Sequence, residues 1–286
     1  MSFDTLVPIQ SDLLCYHNTT IPEDQSTSNL SYHRHNAYEI YFFLGGNVKL
    51  YIEQSCYQLV PGDLFLISPD QLHRSVCLDS TTYDRIIINL KEPELRKLSS
   101  SRTDLSSCFH AGSAEYARHI HLNSAEKKQF LNLTGLLNFT MNQTEFGYDV
   151  LTNAYLTQLL VYINEIYYHS TRVKERNIMP ELISRVMEYI SEHLTEDITL
   201  SRLSQLFYLN GTYISSQFKH HTGLTLRTYI LDQKITLARK LLLEGYSVSE
   251  TCSKAGFSDY ANFIRSFTNL TGISPGKYCK QYRNLH

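Results

Sequence analysis

The last third of the chain contains the same pattern twice, 49 residues apart. The matched pairs are Ile214 and Phe263, Phe218 and Phe267, Thr222 and Thr271, Gly223 and Gly272, Leu224 and Ile273, Thr225 and Ser274, and Tyr229 and Tyr278. The first two apolar pairs lie four residues apart, on one face of a helix. Each glycine follows where a helix end needs a left-handed residue. This part of the chain is therefore predicted to be two copies of one helical unit.

The residues around the two copies carry the start and stop signals of short helices. Pro180 suits the first turn of a helix, because its missing N–H would have no partner there. Thr199 and Asn210 can cap helix starts, and Gly245 follows a long helix predicted from Thr225 to Glu244. Each copy is predicted to be a short helix, a tight turn and a second helix, with the long helix joining the copies.

This order of elements is typical of helix-turn-helix modules, whose second helix enters the major groove of DNA. Such a helix presents polar side chains opposite its core residues. The outward residues are Thr212, Ser215, Ser216 and Lys219 in the first copy, and Tyr260, Ala261, Asn262 and Arg265 in the second. Arg265 is the strongest candidate for base recognition, since a guanidinium can bond both acceptors of guanine. A phosphate contact or a solvated surface arginine is the alternative for Arg265, and plain surface polarity is the alternative for the three hydroxyls.

The distribution of charge agrees with this prediction. The whole chain has a net charge of −2, which by itself indicates nothing about nucleic acids. Residues 1–179 carry 14 basic and 19 acidic side chains, whereas residues 180–286 carry 12 and 9. The C-terminal part is therefore positive, which is the sign expected of a DNA-binding domain, although the asymmetry is mild.

Several features indicate a cytoplasmic protein. Residues Met1 to Gln10 have neither a basic start nor an apolar run, so a secretory signal is not expected. No stretch of 18 apolar residues occurs that would span a membrane. The six cysteines are scattered without a Cys-x-x-Cys pair, which is typical of reduced thiols.

The spacing of apolar residues in the N-terminal half changes partway along from one typical of β-strands to one typical of helices. Residues 30–90 contain short β-rich segments, which predict a sandwich or small barrel. These segments are YEIYFFL, NVKLYIE, YQLV, DLFLIS and YDRIIINL. From about Ser124 the apolar spacing becomes helical, which predicts a helical hairpin, followed by a polar linker at 169–177. We expect one apolar stripe of the hairpin to pack on the barrel and the other to form a dimer seam. The two candidate stripes are Leu156, Leu159, Leu160 and Ile163, and the residues near Leu133 and Leu137.

The C-terminal motifs resemble the DNA-binding domain of AraC/XylS-type regulators over about residues 181–283. The matching segments are QFKHHTGLTLRTYI, ARKLLLEGYSVSETCSKAGFSDYANFIRSF and TGISPGKY. The resemblance implies two helix-turn-helix units that read adjacent major-groove segments, with the outward residues named above at the base-reading positions. Thr268 and Asn269 stand where the family usually has basic residues, so phosphate contacts there should be weaker. The segments HRHNAYEIYFFLGG and LVPGDLFLISPDQLHR more loosely resemble the cupin-like sensor domains of such regulators.

Four residues of the N-terminal half have the spacing of cupin metal ligands, namely His33, His35, Glu39 and His73. Strand alternation would place the first three on one face, with Tyr41 beyond them. Three explanations remain open: the polar rim of a small-molecule pocket, which we favour, a bound Fe, Mn, Zn or Ni ion, and core histidines with satisfied hydrogen bonds. Arg85 and Tyr83 lie on a later strand, where an anionic or hydroxylated ligand and an external salt bridge are both open for Arg85.

Together these features predict an α+β protein that regulates transcription. Residues 1–170 would form a cupin-like β-barrel with a helical hairpin that binds an effector and dimerises. Residues 171–179 would be a linker, and residues 180–286 an all-α domain with two helix-turn-helix units joined by a long helix. The expected partners are double-stranded DNA, a small-molecule effector and a second copy of the chain, with RNA polymerase left open. A sugar is suggested as the effector only by the family resemblance. We expect no cofactor, no membrane contact and no catalytic residues; the alternative is a metal-dependent cupin enzyme with a helical appendage.

Overall fold

The computed structural model of the chain describes residues 9, 11–22, 32–110, 118–169 and 178–282. The chain divides into two compact units, one within residues 8–178 and one that begins at Met179. Residues 171–177 of the predicted linker lie outside the described residues. Ile178 belongs to the first unit, because its backbone N–H donates to the carbonyl of Cys56 at 2.8 Å.

The first unit contains two antiparallel sheets. The described strands are β1 Leu13–Thr20, β2 Tyr38–Gly45, β3 Val48–Ile52, β4 Ser55–Gln58, β5 Asp63–Ile67, β6 His73–Cys77, β7 Tyr83–Leu90 and β8 Arg118–His121. One sheet has the order β1-β7-β2-β5-β8, and the other has the order β4-β3-β6. Strands β2, β3, β4, β5 and β7 were predicted, whereas β1, β6 and β8 were not. β6 (HRSVC) and β8 (RHIH) are short and polar, so their sequences carry little strand signal.

The five-stranded sheet has a different core on each face, because side chains alternate along a strand. On β2, Tyr41 and Phe43 pack into an apolar cluster shared with the three-stranded sheet. Ile40 and Phe42 belong instead to a cluster shared with helices. The same alternation places Arg85 of β7 on the inner side. The sequence could not decide this orientation, because β7 is apolar on both faces.

The described residues of the first unit also form the helices α1 Glu92–Leu98, α2 Ser107–His110, α3 Ser124–Met141 and α4 Tyr148–His169. Helices α3 and α4 are the predicted hairpin. The expectation that one of its two named stripes is free for dimerisation is wrong. Leu133, Leu137, Leu156, Leu159, Leu160 and Ile163 are all buried in one cluster with the outer face of the five-stranded sheet.

The described residues of the second unit form helices and the turns between them, without strands, as predicted. Its helices are α5 Glu181–Glu192, α6 Leu200–Phe207, α7 Gly211–Thr222, α8 Leu226–Leu243, α9 Val248–Lys254, α10 Tyr260–Thr271 and α11 Pro275–Tyr282. Helices α7 and α10 begin and end 49 residues apart, which matches the sequence repeat. Pro180 is the N-cap of α5 rather than a residue of its first turn. None of the described helices is long and apolar enough to cross a membrane.

The two copies also share their local chemistry. Gly223 and Gly272 end α7 and α10 with φ values of +76° and +75°, so both occupy the left-handed region that favours glycine. The rings of Phe218 and Tyr229 meet edge to face at 5.3 Å, and those of Phe267 and Tyr278 do so at 5.5 Å. The repeat is therefore present in the packing of the side chains as well as in the amino-acid sequence.

Candidate functional sites

The first candidate site is the outer face of α7, the second helix of the first copy. Ile214 and Phe218 anchor the helix because their side chains are fully buried. The predicted outward residues follow this division: Thr212, Ser216 and Lys219 are exposed, and Ser215 is half-buried. The side chain of Asn210 caps the helix start by accepting the Thr212 N–H at 2.8 Å, as the sequence predicted.

Helix α10 repeats this arrangement in the second copy. Phe263 and Phe267 are fully buried, so the opposite face is exposed. Tyr260, Ala261, Asn262 and Arg265 are all exposed on that face. Within the described part of the chain, no carboxylate or carbonyl oxygen binds the Arg265 guanidinium. Its five N–H donors are therefore available to a partner outside the chain.

Sequence reasoning missed two aromatic residues close to α7. Tyr208 lies in the turn before the helix with φ +54°, and its side chain is almost completely exposed. Tyr213, in the first turn of α7, is half-exposed. No sequence signal marks them, because single exposed aromatic residues are common on protein surfaces. Both residues widen the exposed surface around the first predicted groove helix.

Sequence reasoning also missed the role of Gly256 in the turn between α9 and α10. Its φ is +75°, and a Cβ built there would lie 2.6 Å from the Cα of Thr195. Its carbonyl accepts a hydrogen bond from Lys234 Nζ at 2.7 Å. The turn that positions α10 is therefore packed directly against the backbone after α5, and only glycine fits this position.

The second candidate site is a buried polar cluster in the first unit. His35 Nε2 lies 2.9 Å from Glu39 Oε2, and His73 Nε2 lies 3.9 Å from the same oxygen. All three side chains are buried. The three residues come from different segments, since Glu39 lies on β2, His73 begins β6 and His35 lies before β2. Their convergence is produced by the fold, and the sequence predicted it from the spacing.

The pKa values in the cluster follow from burial and mutual charge. Burial alone would raise the pKa of Glu39, but the hydrogen bond with His35 and the nearby histidines lower it to about 2. Burial and the neighbouring His33 lower the pKa of His73 to about 3. Burial lowers the pKa of His35, but the hydrogen bond with Glu39, the charge of Glu39 and the hydrogen bond to the Ala37 carbonyl together outweigh burial and raise that pKa overall. Glu39 therefore remains an anion, and His73 is neutral at neutral pH.

The other two residues predicted for this site, His33 and Tyr41, lie outside the group formed by His35, Glu39 and His73. His33 is bridged to His73 through the backbone, and the two ring centroids lie 4.3 Å apart. Its ring is therefore beside His73 rather than at the point where the three ligand atoms converge. The hydroxyl of Tyr41 lies in a second chain of hydrogen bonds, 2.6 Å from the Tyr83 hydroxyl, which donates to Ser75 Oγ at 2.9 Å.

Arg85 lies beside that second chain. Its guanidinium is 3.8 Å from the centroid of the Tyr83 ring, and Nη1 donates to Thr20 Oγ1 at 3.2 Å. The side chain is buried, and its Nε has no hydrogen-bond partner. Among the described residues the external salt bridge that the sequence left open for Arg85 is not formed, and the guanidinium lies over the Tyr83 ring on the inner face of the sheets.

The repeated helix-turn-helix units, with polar outer faces on α7 and α10, define a DNA-binding transcription regulator. The family described as "AraC-like ligand binding domain" matches residues 19–160, and the family described as "Helix-turn-helix domain" matches residues 203–281. The chain belongs to the AraC family of transcriptional regulators, with an N-terminal ligand-binding domain. The sequence prediction of this family of regulators is confirmed.

Two relatives by sequence agree with this assignment. The chain is 24% identical over 252 residues to the probable transcriptional regulator LumQ of Photobacterium leiognathi, across 87% of this chain and 91% of that protein. It is 35% identical over 91 residues to the uncharacterized regulator YobQ of Bacillus subtilis (strain 168), across 32% of this chain and 38% of that protein. The structure of fatty-acid-bound ToxT from Vibrio cholerae matches 93% of this chain and 94% of that chain, at 14% identity and a TM-score of 0.40.

Proposed function

We propose that this regulator recognises its operator with the outer faces of α7 and α10. The observation that carries the proposal is that both helices bury the same two core positions and expose the opposite face. The proposed contacts are Thr212, Ser215, Ser216 and Lys219 in one groove, and Tyr260, Ala261, Asn262 and Arg265 in the next. The bound protein would then regulate the promoter by acting on RNA polymerase.

The proposed effector site lies between the two sheets of the first unit, at His35, Glu39 and His73, with His33 and Tyr41 at its margin. Buried polar atoms without a hydrogen-bond partner lie on the strands around it, among them His73 Nε2, Arg85 Nε and Asn89 Oδ1. Asn89 pairs directly with Glu39 across β7 and β2, so both side chains share the inner face. Unsatisfied buried polar atoms cost free energy, and a polar ligand would compensate them.

A thermal-shift screen of small metabolites tests this site. A ligand that binds only the folded protein should raise the melting temperature of the full chain. We expect the same ligand to change operator affinity by about 1–3 kcal/mol, which is the usual range of coupling between two sites. A ligand that stabilises the protein but leaves operator affinity unchanged would contradict effector control through this unit.

The proposed homodimer uses the outer face of α4, since both predicted stripes are buried. One face of α4 carries residues at alternating spacings of three and four positions, namely Leu151, Ala154, Gln158, Val161, Glu165 and Tyr168. This spacing is typical of a helix that packs against another helix. The side chains of Leu151, Val161 and Tyr168 are 42%, 37% and 60% exposed, which is unusual for apolar residues aligned on one face.

Replacing Val161 by glutamate is expected to weaken self-association at least tenfold, because each copy would bury an added charge at the centre of the seam. Sedimentation equilibrium at micromolar concentration measures this effect. Asn153→Glu is the matched control, since Asn153 is exposed on α4 but lies to the side of the stripe. Equal dimerisation of both variants, or a monomeric parent protein with and without DNA, would contradict the proposed seam.

A further inference from the structure

The long helix α8 is the element on which the two helix-turn-helix copies meet. Its first turns pack on the first copy, because the ring of Tyr229 meets that of Phe218. From Ile235 onward α8 is buried in one cluster with residues of α10 such as Phe263. Lys234 lies between these two parts of the helix and is half-buried. A long polar side chain at this position can therefore contact both copies.

The ammonium group of Lys234 does contact both copies. Its Nζ donates a hydrogen bond of 2.7 Å to the carbonyl of Gly256, in the turn before α10. It also donates at 3.4 Å to the carbonyl of Glu196, in the loop between α5 and α6. An ammonium group has three donors, so it can hold two carbonyls at once. Burial lowers the pKa of Lys234 and the charge of Asp197 raises it, so the two carbonyls replace part of the lost water.

The two segments that Lys234 bridges are fixed by contacts of their own. The carboxylate of Glu196 lies 2.7 Å from Arg202 Nη2, on α6, and 2.8 Å from His193 Nδ1. The backbone at Gly256 lies so close to Thr195 that a Cβ has no room there. A continuous set of contacts therefore runs from the first helix of one copy to the turn that positions the groove helix of the other. These contacts oppose rotation of one copy about α8.

The sequence repeat shows that this bridge is a contact between the copies. The residue 49 positions before Lys234 is Arg185, on α5, and its guanidinium lies 5.5 Å from the ring centroid of Phe207 in its own copy. Lys234 has the same kind of contact, 5.9 Å from the ring centroid of Phe257. Only Lys234 of this pair also donates to the other copy, through the Glu196 carbonyl.

We infer that Lys234 is a positioning residue that fixes the separation of α7 and α10, and that it thereby selects operators by the distance between their two recognised segments. Two groove helices held rigidly can enter both grooves only when the segments lie at one spacing along the duplex. Each added base pair shifts one segment by about 3.4 Å and turns it by about 35° around the duplex axis. The consequence for operators rests on the proposed recognition by α7 and α10, whereas the contact itself does not.

The first test measures the separation of the two groove helices without DNA. Spin labels are attached to the full chain at His220→Cys and Asn269→Cys, which are exposed and occupy equivalent positions of α7 and α10. Cys279, the one cysteine that is not buried, is replaced by serine. Pulsed electron paramagnetic resonance should give a narrow distance distribution, which Lys234→Met should broaden. Lys240→Met, an exposed position of the same helix, should leave it unchanged.

The second test measures the preference for one spacing on DNA. The probes are the duplex that the parent protein protects upstream of its own gene, and the same duplex with one or two base pairs inserted between the protected segments. Lys234→Met should reduce the preference for the uninserted duplex about fivefold, because it loosens the coupling between the two contacts. Lys240→Met removes the same charge and should keep the parental preference. Lys234→Arg retains several N–H donors and should restore most of the preference.

Circular dichroism and thermal melting establish that the variants are folded. Glu196→Gln, at an exposed position, weakens the ion pair with Arg202 and should also broaden the distance distribution, so the test does not depend on Lys234→Met alone. A parental distance distribution in folded Lys234→Met and Glu196→Gln, or a parental spacing preference in folded Lys234→Met, overturns the role of Lys234. If the parent protects no upstream duplex, the proposed DNA recognition fails, and the distance distribution alone decides on Lys234.

Discussion

Replacing Arg265 with alanine is expected to reduce the preference for operator over random DNA by about 1–3 kcal/mol, a factor of about 5 to 150. Arg265 is exposed on α10, opposite the buried Phe263 and Phe267, and no described residue binds its guanidinium. Alanine is a good helix former, so the variant should keep α10 intact. The loss should therefore appear in DNA recognition and not in stability.

The variant Arg265→Lys separates base recognition from a phosphate contact. Lysine keeps the positive charge but lacks the planar pair of donors that bonds both acceptors of guanine. If Arg265 reads a base, Arg265→Lys should lose much of the specificity that Arg265→Ala loses. Fluorescence anisotropy with operator and shuffled duplexes measures both. Retention of parental specificity by Arg265→Lys would show that Arg265 only contacts phosphate.

The variant Gly256→Ala is expected to destabilise the second unit by about 2–4 kcal/mol. An alanine in the left-handed region costs about 1–2 kcal/mol. The added Cβ would also lie 2.6 Å from the Cα of Thr195 and 2.7 Å from its carbonyl oxygen, so the turn or the backbone after α5 must move. Because this turn precedes α10, operator affinity should fall as well.

Gly272→Ala is a matched control for this prediction. Gly272 has the same φ of +75°, but nothing lies within 4 Å of a Cβ built there. It should therefore show only the cost of the left-handed backbone. Calorimetric unfolding of the full chain compares the stabilities of the two variants. The transition of the second unit is assigned by its response to operator DNA. Equal losses in both variants would mean that the contact with Thr195 contributes nothing.

The second unit could be predicted from the sequence almost completely, because its signals are local. Thr199 and Asn210 cap helices where predicted, and the two glycines that end α7 and α10 lie in the repeat. The role of Gly256 could not be predicted, because it depends on Thr195, which is 61 residues earlier in the chain. A glycine before a helix is otherwise an ordinary turn residue.

The first unit was predicted less well, because its features depend on long-range pairing. The two apolar stripes that were predicted as alternatives, one on α3 and one on α4, both pack against the sheet, which periodicity alone could not show. The spacing of His35, Glu39 and His73 predicted their convergence, but not that His33 would be held aside by its bridge to His73. Such positions depend on the pairing of strands that are distant in sequence, and a single sequence does not reveal which strands pair.

The central claim is that the chain recognises a specific DNA sequence through two adjacent groove contacts. The most direct measurement is the affinity of the full chain for DNA from upstream of its own gene and for a shuffled duplex, over about 50–200 mM salt. The account predicts tighter binding to one segment by a factor of about 10³ or more, a linear loss of log affinity with log salt, and protection of neighbouring major-groove segments in a footprint. Equal affinity for all duplexes tested, including other candidate promoters, or affinity independent of salt, would contradict it.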